Sequence, residues 1–164
     1  MKYISILIFL VNISLVAHSQ GLKGYNLGDS VQGRPMSINT TIAQIPVRIG
    51  CLLFNGRIVS VSALKEPYGA VGSVYEVESI IKALENKYHI KFQYSPSKTN
   101  RGEDKSGIYS CIKDGVKYEA ELYNYNAFSP GKYQWTISII NIKGYAEFNW
   151  RQDKREKERM LNDI

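Results

Sequence analysis

The chain has 164 residues, with 21 Lys and Arg against 15 Asp and Glu and two cysteines. A single domain of this length buries about two-thirds of its unfolded surface and can hold its own core. The basic excess is dispersed and mixed with acid instead of clustered on one face, so no nucleic-acid interface is expected.

The first 19 residues carry Lys2, an apolar run from Ile4 to Val16 broken by Ser5, Asn12 and Ser14, and then Ala17-His18-Ser19. Small residues stand at the two positions a signal peptidase reads. The run is short for a bilayer span and ends in a processing pattern, not a stop-transfer cluster. The expectation is a cleaved signal peptide over 1–19 and an exported protein, periplasmic or secreted, with no stable membrane span after cleavage. The mature chain then begins at Gln20 or Gly21. In an oxidising compartment Cys51 and Cys111 permit one internal bridge, and closing a loop of about sixty residues stabilises by roughly 4 kcal/mol in the chain-entropy treatment. The alternative is a pair of buried thiols packing as small apolar groups.

Gly21 to Gln44 offers a short strand around Tyr25–Leu27 and then a polar stretch with Gly33 and Pro35 but no sustained period, read mostly as loop. Asn39-Thr40-Thr41 is a glycosylation sequon, relevant in a eukaryotic host. From Ile45 to Ala63 two apolar runs flank Asn55-Gly56, the strongest short hairpin signal. A two-residue type I′ turn sets Leu53 opposite Ile58, Leu52 opposite Val59 and Cys51 opposite Ser60. Leu52, Phe54, Val59 and Val61 then share one side, and Ile49, Cys51, Leu53 and Ile58 the other.

After a turn-rich link, Ser73–Tyr88 predicts a helix at its start, along its face and at its end. Ser73 and Glu76 form a capping box, and Val77, Ile80, Ile81, Leu84 and Tyr88 make one apolar stripe. A brief strand, Lys91–Tyr94, leads to the hydrophilic stretch Ser95–Gly107, a long loop of functional or mobile character. Ile108–Tyr125 gives a second hairpin around Asp114-Gly115, with Cys111 opposite Tyr118 and with Val116, Tyr118, Ala120 and Leu122 on a dry face. A bridge to Cys51 requires that Cys51 turn toward that same layer. Tyr133, Trp135, Ile137 and Ile139 alternate as a strand, and Tyr145–Trp150 reads as a last strand. Residues 151–164 form a charged C-terminal helix or tail with little apolar content.

The candidate chemistry is sparse. Gly28-Asp29-Ser30 resembles the nucleophile block of GDSL-type esterases over three residues, but after cleavage the sole histidine is His89 in mid-chain, which leaves the serine without a base. A turn is the better reading. The loop Gly69–Ser73 before the helix has the general form of an anion-binding terminus, yet lacks the further glycine or Gly-Lys-Ser/Thr of a nucleotide loop. His89 has no partner at metal-ligand spacing. No catalytic or metal-ligating residue and no cofactor is therefore assigned. Twelve tyrosines and two tryptophans remain, of which Tyr123 and Tyr125 are expected to face solvent as a binding strip, against the alternative of cross-strand packing.

The expected architecture is a single α+β domain over 20–150: an antiparallel sheet of about five to seven strands with one long helix packed on one face. The expected function is a non-catalytic module that binds another protein in the envelope or extracellular space, through a sheet edge or the tyrosines. A carbohydrate or small-ligand binder using surface aromatics is the alternative.

Overall fold

A computed structural model describes residues 20–65, 71–97, 106–124 and 131–162. A small hairpin opens the described chain, β1 (Gly21–Leu22) and β2 (Tyr25–Asn26). Seven further strands follow: β3 (Ser37–Ile42), β4 (Ile45–Phe54), β5 (Arg57–Lys65), β6 (Gln93–Pro96), β7 (Gly107–Lys113), β8 (Val116–Tyr123) and β9 (Gln134–Asn141). They form one sheet in the order β3-β4-β5-β9-β8-β7-β6, with every pairing antiparallel. Two helices complete the fold, α1 (Val74–Tyr88) and α2 (Ile142–Asn162). The class is α+β with an antiparallel sheet, and beside the one long helix expected on the sheet a second, α2, runs from Ile142 through the segment read as a charged helix or tail.

The hairpins are set by their turns. Asn55 and Gly56 have φ of 50° and 72°, and Asp114 and Gly115 have 51° and 74°, the left-handed pair that a type I′ turn demands. In the second hairpin Cys111 faces Tyr118, as the turn requires. The first departs from the simple ladder: the register shifts between Leu52 and Leu53, so Leu52 pairs with Ser60 and Cys51 with Val61. Val59 is the extra residue of a bulge. Val61 thereby joins the side of Ile49 and Cys51, not that of Leu52 and Phe54.

That side is the core. Val47 and Ile49 of β4, Val61 and Ala63 of β5, Ile137 and Ile139 of β9, and Tyr118, Ala120 and Leu122 of β8 are all buried on it. Over them lies α1, whose capping box is present in full and whose buried residues are the stripe Val77, Ile80, Ile81, Leu84 and Tyr88. His89 closes the helix in the left-handed conformation, its N–H bonded to the Glu85 carbonyl. Gly72, just ahead of the cap, has no room for a side chain: a Cβ there would stand 2.6 Å from Trp135 Nε1.

The remainder of the core is covered by residues 20–36, which bring Leu22, Tyr25 and Val31 into the same cluster. This segment is pinned to both neighbours. The Gly21 N–H donates to Tyr88 Oη at 3.1 Å and the Tyr88 hydroxyl donates back to the Gly21 carbonyl. Gly28 N–H donates to the Ile58 carbonyl at 2.8 Å, and Ile58 N–H to that of Asp29 at 2.9 Å.

Two expectations are corrected. The stretch read as loop contains β3 and a tight turn at Ala43-Gln44, with φ of 48° and 66°. Neither residue carries a turn signature, so the hairpin is imposed by the pairing of Ile38 with Ile49 and Thr40 with Val47. The strand expected at Tyr145–Trp150 is helix. Between Lys143 and Met160 no residue is β-branched and most are strong helix formers. Asn141 also caps the start, its Oδ1 accepting the Gly144 N–H at 2.8 Å. Gly144 allows α2 to approach β5, since a Cβ there would meet Val59 Cγ1 at 2.9 Å.

Two outcomes follow from this packing. Ile80→Ala, at a fully buried position, should lower stability by about 2–5 kcal/mol in urea unfolding, whereas Lys82→Ala on the wet side should stay within about 0.5 kcal/mol of wild type. Tyr118 is buried, and desolvation with smaller contributions from Tyr88, Asp114 and Cys111 pushes its phenol up to about 12. The neutral phenol is thus favoured in the native state, so its contribution is whole below the unfolded value near 10 and is lost as pH rises toward 12. The unfolding midpoint should fall across that interval, and less steeply in Tyr118→Phe.

Candidate functional site

The other side of the sheet is exposed or half-buried over most of its width among the described residues. Across all seven strands one row reads Ser37, Gly50, Ser62, Ser138, Glu119, Ser110 and Gln93. The next row reads Asn39, Arg48, Leu64, Thr136, Glu121, Ile108 and Ser95. Hydroxyls, amides and charges dominate, as on a sheet face that meets water. Ser62 and Ser138 share a hydrogen bond of 2.9 Å, and Lys117 pairs with Glu119. Tyr123 lies on this face opposite Gln134, 51% exposed, and Ile112 is exposed at its other end. Among the described residues, α2 covers one corner, where Phe148 stands edge-on to Phe54 at 6.2 Å and the Arg151 guanidinium sits 4.8 Å over the Phe54 ring.

The two sheet edges differ. β6 has four residues and ends in Pro96, which has no N–H to offer. β3 has six residues with neither proline nor lysine. Its backbone polarity can be assigned from the register. The Cys51 N–H donates to the Met36 carbonyl at 3.2 Å, making that a hydrogen-bonded pair. By antiparallel alternation Ile38, Thr40 and Ile42 bond inward to β4, and Ser37, Asn39 and Thr41 direct their N–H and C=O groups outward. Among the described residues no strand pairs with that outer side.

The predicted site residues do not assemble. Cys51 and Cys111 do turn toward the same layer, but Cys51, Val61, Ile139, Tyr118 and Cys111 are successive members of one cross-strand row. Four strand spacings, about 19 Å in all, separate thiols whose Cα atoms need to come within about 7 Å. No disulfide forms, and both cysteines are free and half-buried. Burial raises the Cys51 thiol pKa, the opposite of what a reactive cysteine needs. Tyr125 lies outside the described residues, as do positions 98–105 of the long loop and 66–70 of the link before α1.

Gly28-Asp29-Ser30 forms a turn. Asp29 Oδ2 accepts from Asn26 Nδ2 at 3.1 Å, and Ser30 Oγ accepts from the Gln32 N–H at 3.4 Å. At the start of α1, Glu76 accepts from the Ser73 N–H and is held by Lys65 Nζ at 2.6 Å, so a carboxylate already occupies the place an anion would take. Among the described residues no group of three or more His, Cys, Asp or Glu is placed to hold a metal ion, and no helix is long and apolar enough to cross a membrane. Sequence reasoning missed β3, since a strand whose turn lacks Gly, Asn or Asp gives no local signal.

No family model, curated protein or solved structure matches the chain. The thiol geometry leads to a direct outcome: protein isolated without reductant and then denatured should titrate two thiols per chain, and dithiothreitol should leave its melting temperature unchanged. A single intramolecular bridge by mass spectrometry would contradict the row arrangement.

Proposed function

We propose that the mature chain is an exported, non-catalytic module that binds another protein by accepting an extended segment of it along β3. The observation that carries this reading is the asymmetry of the edges: β6 is short and ends in proline, whereas β3 offers the outward N–H and C=O groups of Ser37, Asn39 and Thr41. Unguarded edges are rare because they recruit strands, and strand addition is a common mode of peptide recognition. Affinity comes from the backbone ladder, and specificity from the alternating side chains beside it. Export rests on the signal-peptide pattern of residues 1–19, and the described core begins with Leu22 and Tyr25, beyond the expected cleavage point.

A carbohydrate or small ligand on the open face is the second reading. It is favoured by the half-exposed ring of Tyr123 on the face that also carries Glu119, Glu121 and Ser110, since sugars stack on rings and bond to flanking polar groups.

The mature chain as bait should retain one stoichiometric protein from its own organism's envelope or culture fluid. Asn39→Pro removes an outward backbone donor together with the exposed side-chain oxygen that accepts from Arg48 Nε at 3.4 Å, so it should abolish retention while leaving stability within about 1 kcal/mol of wild type. Tyr123→Ala should retain the partner. Retention by Asn39→Pro would sink the edge reading. Tryptophan fluorescence that responds to soluble polysaccharide, and stops responding in Tyr123→Ala, would establish the second reading in its place.

A further inference from the structure

The outer half of α2 stands clear of the domain: every residue from Gln152 to Met160 is exposed. Among the described side chains of this part of the helix, the large apolar ones in solvent are Trp150, 62% exposed, and Met160, 60% exposed. Between them Asp153 and Lys157 complete the spacing i, i+3, i+7, i+10, which is the a–d–a–d seam of a coiled coil. At 100° per residue this seam falls on the side of α2 opposite Phe148 and Gly144, the residues that meet the sheet. That side of the helix faces away from the sheet.

The occupant is fixed by the charge pattern. About residue 155 the seam is symmetric in position and complementary in kind: Trp150 and Met160 lie five residues to either side, and Asp153 and Lys157 two residues to either side. We infer that two copies of this chain associate through α2 as an antiparallel pair, with Trp150 against the partner's Met160 and Asp153 against the partner's Lys157. Each contact then occurs twice, as a twofold axis requires. A parallel pair would set Asp153 on Asp153 and Lys157 on Lys157, so the same pattern excludes it.

The flanking charges support the assignment. Off the seam, Arg151 pairs with Glu147 at 3.1 Å and Lys154 with Glu158 at 3.9 Å within the helix. On the seam, neither Asp153 nor Lys157 has an ion-pair partner among the described residues. Lys154 Nζ lies 5.7 Å from the Trp150 ring centre and lines one flank of the seam. The shared segment, Trp150 to Met160, is about 15 Å long, which makes this a weak pair that forms at high local concentration.

Sedimentation of the mature chain over a concentration series up to the millimolar range tests the inference. Wild type should shift from monomer to dimer. Lys157→Asp alone opposes two carboxylates and Asp153→Lys alone opposes two ammonium groups, and each should weaken the dimer at least tenfold. An equimolar mixture of the two single variants, and the double variant Asp153→Lys/Lys157→Asp, should each recover it. Far-UV circular dichroism of every variant separates loss of pairing from loss of helix. A wild type that stays monomeric throughout, or a dimer indifferent to both single changes with helix intact, would overturn the proposal.

Discussion

Everything in this domain depends on one burial: the apolar stripe of α1 against the inner face of the seven-stranded sheet. Val77 and Ile80 are fully buried on the helix, and Val47, Ile49, Val61, Ala63, Ala120, Ile137 and Ile139 are fully buried on the strands. The helix alone would be marginal in water at its length, and the sheet alone would expose its entire apolar side. Each therefore exists because the other covers it. Tyr88 extends the arrangement by joining the helix end to the segment before β3, since its hydroxyl meets both the N–H and the carbonyl of Gly21. Its ring also packs on Tyr118 at 5.2 Å, so the first residues of the described chain, the helix and the centre of the sheet meet at one phenol.

What was legible in the sequence was whatever had a local physical cause. The capping box of Ser73 and Glu76 marks the helix because unsatisfied donors must be met there. The turns at Asn55-Gly56 and Asp114-Gly115 mark hairpins because few residues tolerate two successive positive φ values. Ala43-Gln44 gives no such mark, and its hairpin forms because the flanking isoleucines gain a place in the core. In α2, Ala146, Phe148 and Trp150 alternate as a strand would, yet a run without β-branched residues after Ile142 and with an Asn141 cap settles as helix. Period-2 alternation over so few residues is a weaker constraint than propensity summed over several turns.

The cysteines show a different limit. Register placed Cys111 on the dry face and left the side of Cys51 open, and both do face the core. Lateral distance across a sheet depends on strand order, which no local rule supplies, and β5, β9 and β8 intervene. The candidate surfaces were hidden for the same reason. The outward polarity of β3 follows from register, and the freedom of the α2 tip follows from where the helix leaves the body.

The inner and outer faces also divide the work of the molecule. The inner face is given over to apolar contacts among the described residues. On the outer face, α2 takes the corner near Phe54, and the rows from Ser37 to Gln93 and from Asn39 to Ser95 are exposed or half-buried among the described residues. Those rows are too polar to need a cover for stability, so the fold is complete without one. Two places among the described residues bear on association: the outward backbone of β3, where hydrogen-bonding groups face away from the sheet, and the tip of α2, where Trp150 and Met160 are exposed. The partners proposed for them differ in kind because the groups left outward differ: backbone donors and acceptors suit an extended strand, and the seam of Trp150, Asp153, Lys157 and Met160 suits an antiparallel helix.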